Sequence, residues 1–232
     1  MANQSVSNER KKELREPDPL QKNLYKALAF AGTYKKQLLW VLGTVVVVAV
    51  VFAGVMTSFK RSENKASDLV AGALERHRAL ADDPHAAYLA VAEDFRTVLN
   101  DYANTSAGRI AQLRFAVICM DAGEYEQAGK WFEKALDSLG NEAGMHNFIL
   151  SSLGHVWLAR NDLEKAESYF LQIETGKSNL LRDEARFLLA KIYEARQDEA
   201  ASQKMYGMLT REHMDSIYAD LARGRLETAS VQ

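Results

Sequence analysis

The sequence predicts an all-α protein in which one membrane-spanning helix is followed by an α-solenoid of helical hairpins. Residues 38–59 form an apolar stretch that contains no charged side chain. After this stretch, a pattern of small and aromatic residues recurs at intervals of 36 to 38 residues, which is typical of stacked helix pairs. The chain contains only three prolines, and none follows Pro84, which favours helices over a turn-rich domain.

The residues before the apolar stretch divide into two predicted segments. Residues 1–16 are polar and charged, and we expect them to be a disordered cytoplasmic tail. Residues 17–37 are predicted to be an amphipathic juxtamembrane segment, in which Pro19 suits the first turn of a helix and Leu24 and Leu28 share a face. This segment would be either a helix on the cytoplasmic leaflet or a solvated helix or partly ordered tail, and the sequence leaves these interpretations open.

Residues 38–59, LLWVLGTVVVVAVVFAGVMTSF, are predicted to be a transmembrane helix. At about 1.5 Å per residue this stretch would extend ~33 Å, enough to cross a hydrocarbon core of ~30 Å. It begins late in the chain, is longer than the apolar part of a signal peptide and does not end in an Ala-x-Ala cleavage site. We therefore expect an anchor that is not cleaved.

Charges on the two sides of this span predict its orientation. Residues 1–37 contain eight Lys or Arg and four Asp or Glu, whereas the basic residues close behind the span are Lys60, Arg61 and Lys65. The excess of positive charge before the span favours a cytoplasmic N-terminus. In a bacterium, residues 60–232 would then be a periplasmic domain on a single-pass inner-membrane protein.

The repeated pattern is clearest in three segments. In DAGEYEQAGKWFEKAL, residues Ala128, Phe132 and Ala135 follow one another at helical spacing on one face. LGHVWLARNDLEKAESYFLQI (153–173) and LAKIYEARQDEAASQKMYGML (189–209) align without a gap, with Gly154 opposite Ala190. Small residues allow two helices to approach, and aromatic residues fill the space between hairpins. With a further second helix in AAYLAVAEDFRTVLNDY and a closing helix in DSIYADLARGRLETA, residues 60–232 would hold three to four hairpins and a cap.

No residue pattern in the sequence indicates catalysis. The five histidines form no HExxH motif and have no metal-like spacing to Cys119, which is the only cysteine and is expected to be a buried packing residue. No Walker loop, GxSxG or GxGxxG motif occurs, and Lys plus Arg number 29 against 31 Asp plus Glu. We therefore predict a protein that is not an enzyme, with no catalytic residues, metal, cofactor, nucleic-acid partner or small-molecule substrate.

GEYEQAGKWFEKAL and NDLEKAESYF resemble the second half of a tetratricopeptide repeat (TPR), although Ser202 stands where alanine is usual and Gln197 replaces the turn glycine. The resemblance implies that the first helices of the repeats line a groove that binds polypeptide segments. An alternative interpretation is that Ile110 to Met120 pack beneath the preceding helix pair. The residues that the resemblance assigns to the groove, called the groove residues below, are Ile110, Leu113, Val117, Met120, Phe148, His155, Leu158, Phe187, Lys191 and Glu194.

A basic tail, one span and an acidic repeat domain together resemble the ancillary-subunit family of the Sec translocon, whose repeat domain is shared with cell-division coordinator proteins. That resemblance implies protein partners, namely translocon subunits, periplasmic chaperones and client polypeptides, and a role as an ancillary factor for exported proteins. The alternative is a non-catalytic scaffold for envelope assembly in cell division, cell-wall synthesis or polymer export. Such a scaffold would use the same groove and differ from the translocon factor only in its partner, so the sequence does not distinguish these two functions.

Overall fold

The computed structural model describes residues 19–142 and 144–229, and every regular element in these ranges is an α-helix. The predicted disordered tail at residues 1–16 lies outside the described residues. The helices are α1 (Pro19–Thr33), α2 (Lys35–Ala79), α3 (Pro84–Asp101), α4 (Ser106–Asp121), α5 (Tyr125–Leu139), α6 (Met145–Ala159), α7 (Leu163–Thr175), α8 (Arg182–Ala195), α9 (Glu199–Glu212) and α10 (Ile217–Ala229). The predicted all-helical class is thus confirmed for this part of the chain.

The chain divides into two compact units after Ser58. In the first unit, Leu24 and Leu28 of α1 are exposed. The first part of α2 contains the predicted span. The most apolar 18-residue window of α2 has a mean hydropathy of 2.7, and none of it is buried. By length and composition, α2 is the one helix among the described residues that could cross a bilayer.

The second unit is built from helical hairpins that follow one another along the chain. The last part of α2 packs against α3 through a shared core that includes Ala66, Ala73 and Val91, and Arg76 forms an ion pair with Asp94. The next hairpins are α4 with α5, α6 with α7 and α8 with α9, and each contacts the hairpin before it. The final helix, α10, packs against both α9 and α8. Four hairpins and one further helix therefore make up the described part of this unit.

The turns inside the last three hairpins share one geometry. Gly123, Asn161 and Gln197 occupy equivalent positions, and all have positive φ angles, of 79°, 59° and 61°. The amide after each of them donates a hydrogen bond to a carbonyl five residues earlier, which is the pattern of a Schellman motif. These bonds are Glu124 N to Cys119 O (2.8 Å), Asp162 N to Trp157 O (2.9 Å) and Asp198 N to Tyr193 O (2.9 Å). The turn thus has the same backbone shape with Gly123 in one hairpin and with Gln197 in another.

Buried aromatic residues connect the first hairpins into one core. Phe95 of α3 stacks on Phe115 of α4 with ring centroids 5.0 Å apart, and Phe132 of α5 is fully buried in the same cluster. Ala128 and Ala135, which flank Phe132 at helical spacing, are also fully buried. The small and aromatic stripe recognised in the sequence is therefore the buried face of α5.

A second core continues through α6 to α10 and includes Phe170, Leu189 and Tyr206. Arg186 of α8 is also buried, with 3% of its surface exposed. The Arg186 Nε donates to Glu174 Oε2 at 2.8 Å, and its Nη1 lies 2.8 Å from Glu212 Oε2. A buried guanidinium is stabilised by anionic partners. Since Glu174 lies at the C-terminal end of α7 and Glu212 at that of α9, Arg186 connects both ends to α8.

Candidate functional site

The groove residues lie on the first helices of three consecutive hairpins, α4, α6 and α8. Within each helix they are separated by intervals of three, four or seven residues, so they share a face. None of the ten is buried: Ile110, Phe148 and His155 are exposed, and the other seven are half-buried. The structure thus places each of them where part of its side chain remains accessible to solvent.

The end of this surface formed by α4 is apolar. Ile110 is 52% exposed, and Phe148 on the neighbouring α6 is 42% exposed. Leu113, Val117 and Met120 are partly buried and pack against the first core. These three side chains therefore contribute to packing in the first core, while Ile110 and Phe148 are exposed.

The centre of the surface is a hydrogen-bonded group that joins α6 to α8. Glu184 Oε1 lies 3.1 Å from His155 Nε2, and Ser151 Oγ donates to Glu184 Oε2 at 2.7 Å. The hydrogen bond from His155 and, after it, that from Ser151 hold the pKa of Glu184 below its ordinary value, although burial opposes this shift. The His155 ring also meets Phe170 edge to face, with centroids 5.8 Å apart. The sequence did not indicate that Ser151 and Glu184 take part. Glu184 is on α8, whereas Ser151 and His155 are on α6, about 30 residues earlier in the chain.

The end formed by α8 is charged. Lys191 Nζ lies 2.7 Å from Glu194 Oε2, and the Tyr206 hydroxyl donates to Glu194 Oε1 at 3.0 Å. Burial acts to raise the pKa of Glu194, but the hydrogen bonds from Lys191 and Tyr206 outweigh it, and this pKa is lowered. Burial and the neighbouring Glu194 carboxylate raise the pKa of Tyr206.

Beyond Glu194 an open cavity of about 610 Å³ lies between α8, α9 and α10. The sequence did not predict this cavity, because its walls come from three helices, although two residues that depart from the repeat pattern, Gln197 and Ser202, both line it. The described residues that line it are Glu194, Gln197, Glu199, Ser202, Gln203, Tyr206, Arg225, Leu226 and Thr228.

Cys119, the only cysteine, is a packing residue in the fold. Cys119 is fully buried, as predicted for a packing residue, and burial followed by the charge of Glu124 raises the pKa of its thiol to about 12. Within residues 19–142 and 144–229, no three His, Cys, Asp or Glu side chains come close enough together to hold a metal ion.

Comparison with solved structures supports this fold. No protein-family model matches the sequence, and no curated protein matches it either. Among solved structures, the chain is similar to the crystal structure of a tetratricopeptide repeat protein from Parabacteroides merdae, with a TM-score of 0.54 and 16% sequence identity. The match covers 69% of this chain and 59% of that protein, so it spans less than two thirds of the solved structure. The repeat pattern, the shared turn and this similarity together give the protein a tetratricopeptide-like fold.

Proposed function

We propose that this protein is a membrane-anchored module for protein–protein interaction that binds polypeptide segments along its groove residues. Tetratricopeptide-like folds are typically non-catalytic interaction scaffolds. The observation that carries the proposal is the accessible surface running from Ile110 and Phe148 to His155 and Lys191, which offers apolar contact at one end and charge at the other. A surface of this kind suits an extended or helical segment with apolar anchors and polar neighbours.

The anchor in this proposal is residues 38–59 within α2, in a bacterial inner membrane. The excess of basic residues before the span supports a cytoplasmic N-terminus and a periplasmic repeat domain. The residues 17–37 then form a juxtamembrane segment on the cytoplasmic side. Attachment to one membrane raises the effective concentration of the module near membrane-bound partners, so that weak individual contacts suffice for binding.

The basic residues before the span, the single span and the acidic repeat domain support a role as an ancillary factor at the Sec translocon that works with periplasmic chaperones on exported proteins. The second candidate is a non-catalytic scaffold for cell division, cell-wall synthesis or polymer export. Both use the same anchor and the same groove residues, and they differ in the partner.

Site-specific photocrosslinking in native membranes tests the groove and identifies the partner. A photoreactive amino acid at Phe148 or His155 should crosslink to translocon subunits or chaperones if the first candidate is correct, and to division, cell-wall or export components if the second is. The matched control is the same amino acid at Leu89, an exposed apolar residue of α3 that is not among the groove residues. Equal crosslinking from Leu89 and Phe148 would contradict a specific groove.

Fusion of alkaline phosphatase after Gln232 tests the topology, because this enzyme is active only outside the cytoplasm. We expect high activity from the fusion. An inactive fusion that is expressed at normal levels would reverse the proposed orientation, and a fusion recovered in the soluble fraction would remove the membrane anchor from the proposal.

A further inference from the structure

The exposed leucines of α1 lie on one face of the helix. Leu24 and Leu28 are one helical turn apart and are 61% and 60% exposed. Tyr25 and Phe30 are also more than half exposed, and at about 100° per residue they flank the leucines on the two sides of this face. α1 therefore presents an apolar face with an aromatic ring on each border.

The segment that contains α1 carries lysine and no acidic residue. Residues 1–18 hold four Lys or Arg and four Asp or Glu, whereas residues 19–37 hold four lysines and no Asp or Glu. The whole excess of positive charge before the span thus belongs to α1 and the start of α2. Lys26 is exposed and lies about 160° around the helix from Leu28, and Lys22 comes one turn earlier in the sequence. The positive charge of α1 is therefore opposite its apolar face.

The C-terminal end of α1 is close to the predicted span. Only Tyr34, which forms a bend, separates α1 from α2, and the apolar stretch begins four residues later at Leu38. Five residues of helix extend about 8 Å, so Thr33 lies within about one Debye length of the start of the span. If the span crosses a membrane, lipid headgroups are within reach of the last turns of α1.

We propose that α1 lies in the headgroup layer of the cytoplasmic leaflet and binds anionic phospholipids. This inference rests on the membrane anchor of the proposed function. Lysines on one side of a helix and apolar residues on the other are typical of a helix that lies in the plane of a lipid surface. Leu24 and Leu28 would contact the acyl chains, Tyr25 and Phe30 would lie at the interface, and the lysines would pair with lipid phosphates.

The depth of two spin labels tests the orientation of α1. The full chain is reconstituted into vesicles of phosphatidylcholine and phosphatidylglycerol, and a nitroxide is attached to Leu28→Cys or, in a second sample, to Thr33→Cys. The native Cys119 is fully buried, so the label reacts with the new cysteine. Collision rates of the nitroxide with oxygen and with a water-soluble nickel complex measure how deeply each label is immersed.

The two labelled positions distinguish a helix on the leaflet from a helix in solvent. Thr33 lies about 140° around α1 from Leu28, and it is nearer to the span along the chain. We expect the label at Leu28 to be the deeper one, because Leu28 faces the acyl chains when α1 lies along the surface. If α1 instead extended away from the membrane, the label at Thr33 would be the deeper one. That order would overturn the proposal.

Removal of two lysines tests binding to anionic headgroups. Combining Lys22→Gln with Lys26→Gln should lower the ratio of immersed to free label at Leu28 by about tenfold or more. The matched control combines Lys60→Gln with Lys65→Gln, two exposed lysines on the other side of the span. This control should leave the label at Leu28 unchanged. Vesicles of phosphatidylcholine alone should reproduce the loss. An equal loss in both double variants, or no loss without phosphatidylglycerol, would overturn the binding of anionic lipid.

Flotation of the vesicles separates this site from the anchor. Chain that does not float with the vesicles would overturn the anchor and this site together. Chain that floats while its label at Leu28 stays in water would overturn this site alone and would not affect the proposed function. Dipolar broadening between labels at Leu28 would mean that a second copy of the chain covers the face. Protection of Leu28 in native membranes but not in vesicles would mean that a protein covers it, and both of these results would also overturn the lipid site.

Discussion

The Phe170 ring of α7 occupies the space that a side chain on Gly154 of α6 would need. A Cβ atom built on Gly154 would lie 2.4 Å from Phe170 Cζ, and Phe170 is itself fully buried. The absence of a side chain therefore allows the two helices of this hairpin to approach closely.

Substituting Gly154→Ala should destabilise the protein by about 1–3 kcal/mol, because the fully buried Phe170 ring would have to shift to make room for the methyl group. The measurement is the midpoint of urea unfolding of the full chain in detergent, followed by circular dichroism at 222 nm. The matched control is Gly129→Ala in α5, because Gly129 is also a buried helical glycine.

A Cβ atom at Gly129 would lie 3.7 Å from Val156 Cγ1, which is an ordinary contact. Alanine there should stabilise the protein by about 0.5–1 kcal/mol through its higher helix propensity. Equal effects of the two substitutions would show that helix propensity, and not the contact with Phe170, determines the result.

Gln197 has a φ angle of 61° in the turn between α8 and α9, a conformation that costs a residue with a side chain about 1–2 kcal/mol. Substituting Gln197→Gly should therefore stabilise the protein by about 1 kcal/mol, measured by the same unfolding assay. Asn161→Gly is the control, because asparagine tolerates this conformation better and the gain should be smaller. Destabilisation by Gln197→Gly would mean that the glutamine side chain contributes more than its backbone costs.

Glu63 of α2 caps the N-terminus of α4, 43 residues away in sequence. Its Oε2 and Oε1 atoms accept hydrogen bonds from the amides of Ser106 and Ala107, both at 2.8 Å, while the Thr105 hydroxyl accepts from Gly108 N at 2.9 Å. Substituting Glu63→Ala should cost about 1–2 kcal/mol, because two helix amides lose their partner and the negative charge leaves the helix N-terminus.

Amide hydrogen exchange of the first turn of α4 should become faster in this variant, at Ser106 and Ala107 above all. Glu75→Ala is the control: it removes the same charge from an exposed position of α2. If both substitutions had equal effects on stability and exchange, net charge and not capping would account for the loss.

Stability should depend on pH through Glu184. Its hydrogen bonds to His155 and Ser151 lower its pKa in the folded protein below the ordinary 4.5, so folding favours the ionised form. The resulting stabilisation is present above pH 4.5 and is lost as pH falls through the folded pKa.

Glu184→Gln should therefore be less stable than the wild type at pH 7, by about 1 kcal/mol, and the difference should shrink below pH 4.5. Urea unfolding of both proteins from pH 7 to pH 3.5 measures it. The exposed carboxylate of Glu75 supplies the control substitution Glu75→Gln, for which we expect no such pH dependence. A difference at pH 3.5 as large as that at pH 7 would contradict the role of the ionised carboxylate.

Much of the repeat architecture could be predicted because its signals are local. Ala128, Phe132 and Ala135 predicted the buried face of α5 through their helical spacing, and all three are fully buried. The alignment of Gly154 with Ala190 predicted equivalent hairpins, and the turns at Asn161 and Gln197 confirm the register. The assignment of groove residues and of the membrane anchor stays a prediction that the proposed experiments test.

The amino-acid sequence by itself determined the helical hairpins, their period and the long apolar helix, because spacing along one helix decides which side chains share a face. Only the tertiary structure decided that Glu63 caps α4 and that Ser151 and His155 meet at Glu184. These features depend on which helices become neighbours after packing. Hydrogen bonds of this kind leave no periodic pattern in the sequence, because the two bonded residues lie about 30 or more positions apart.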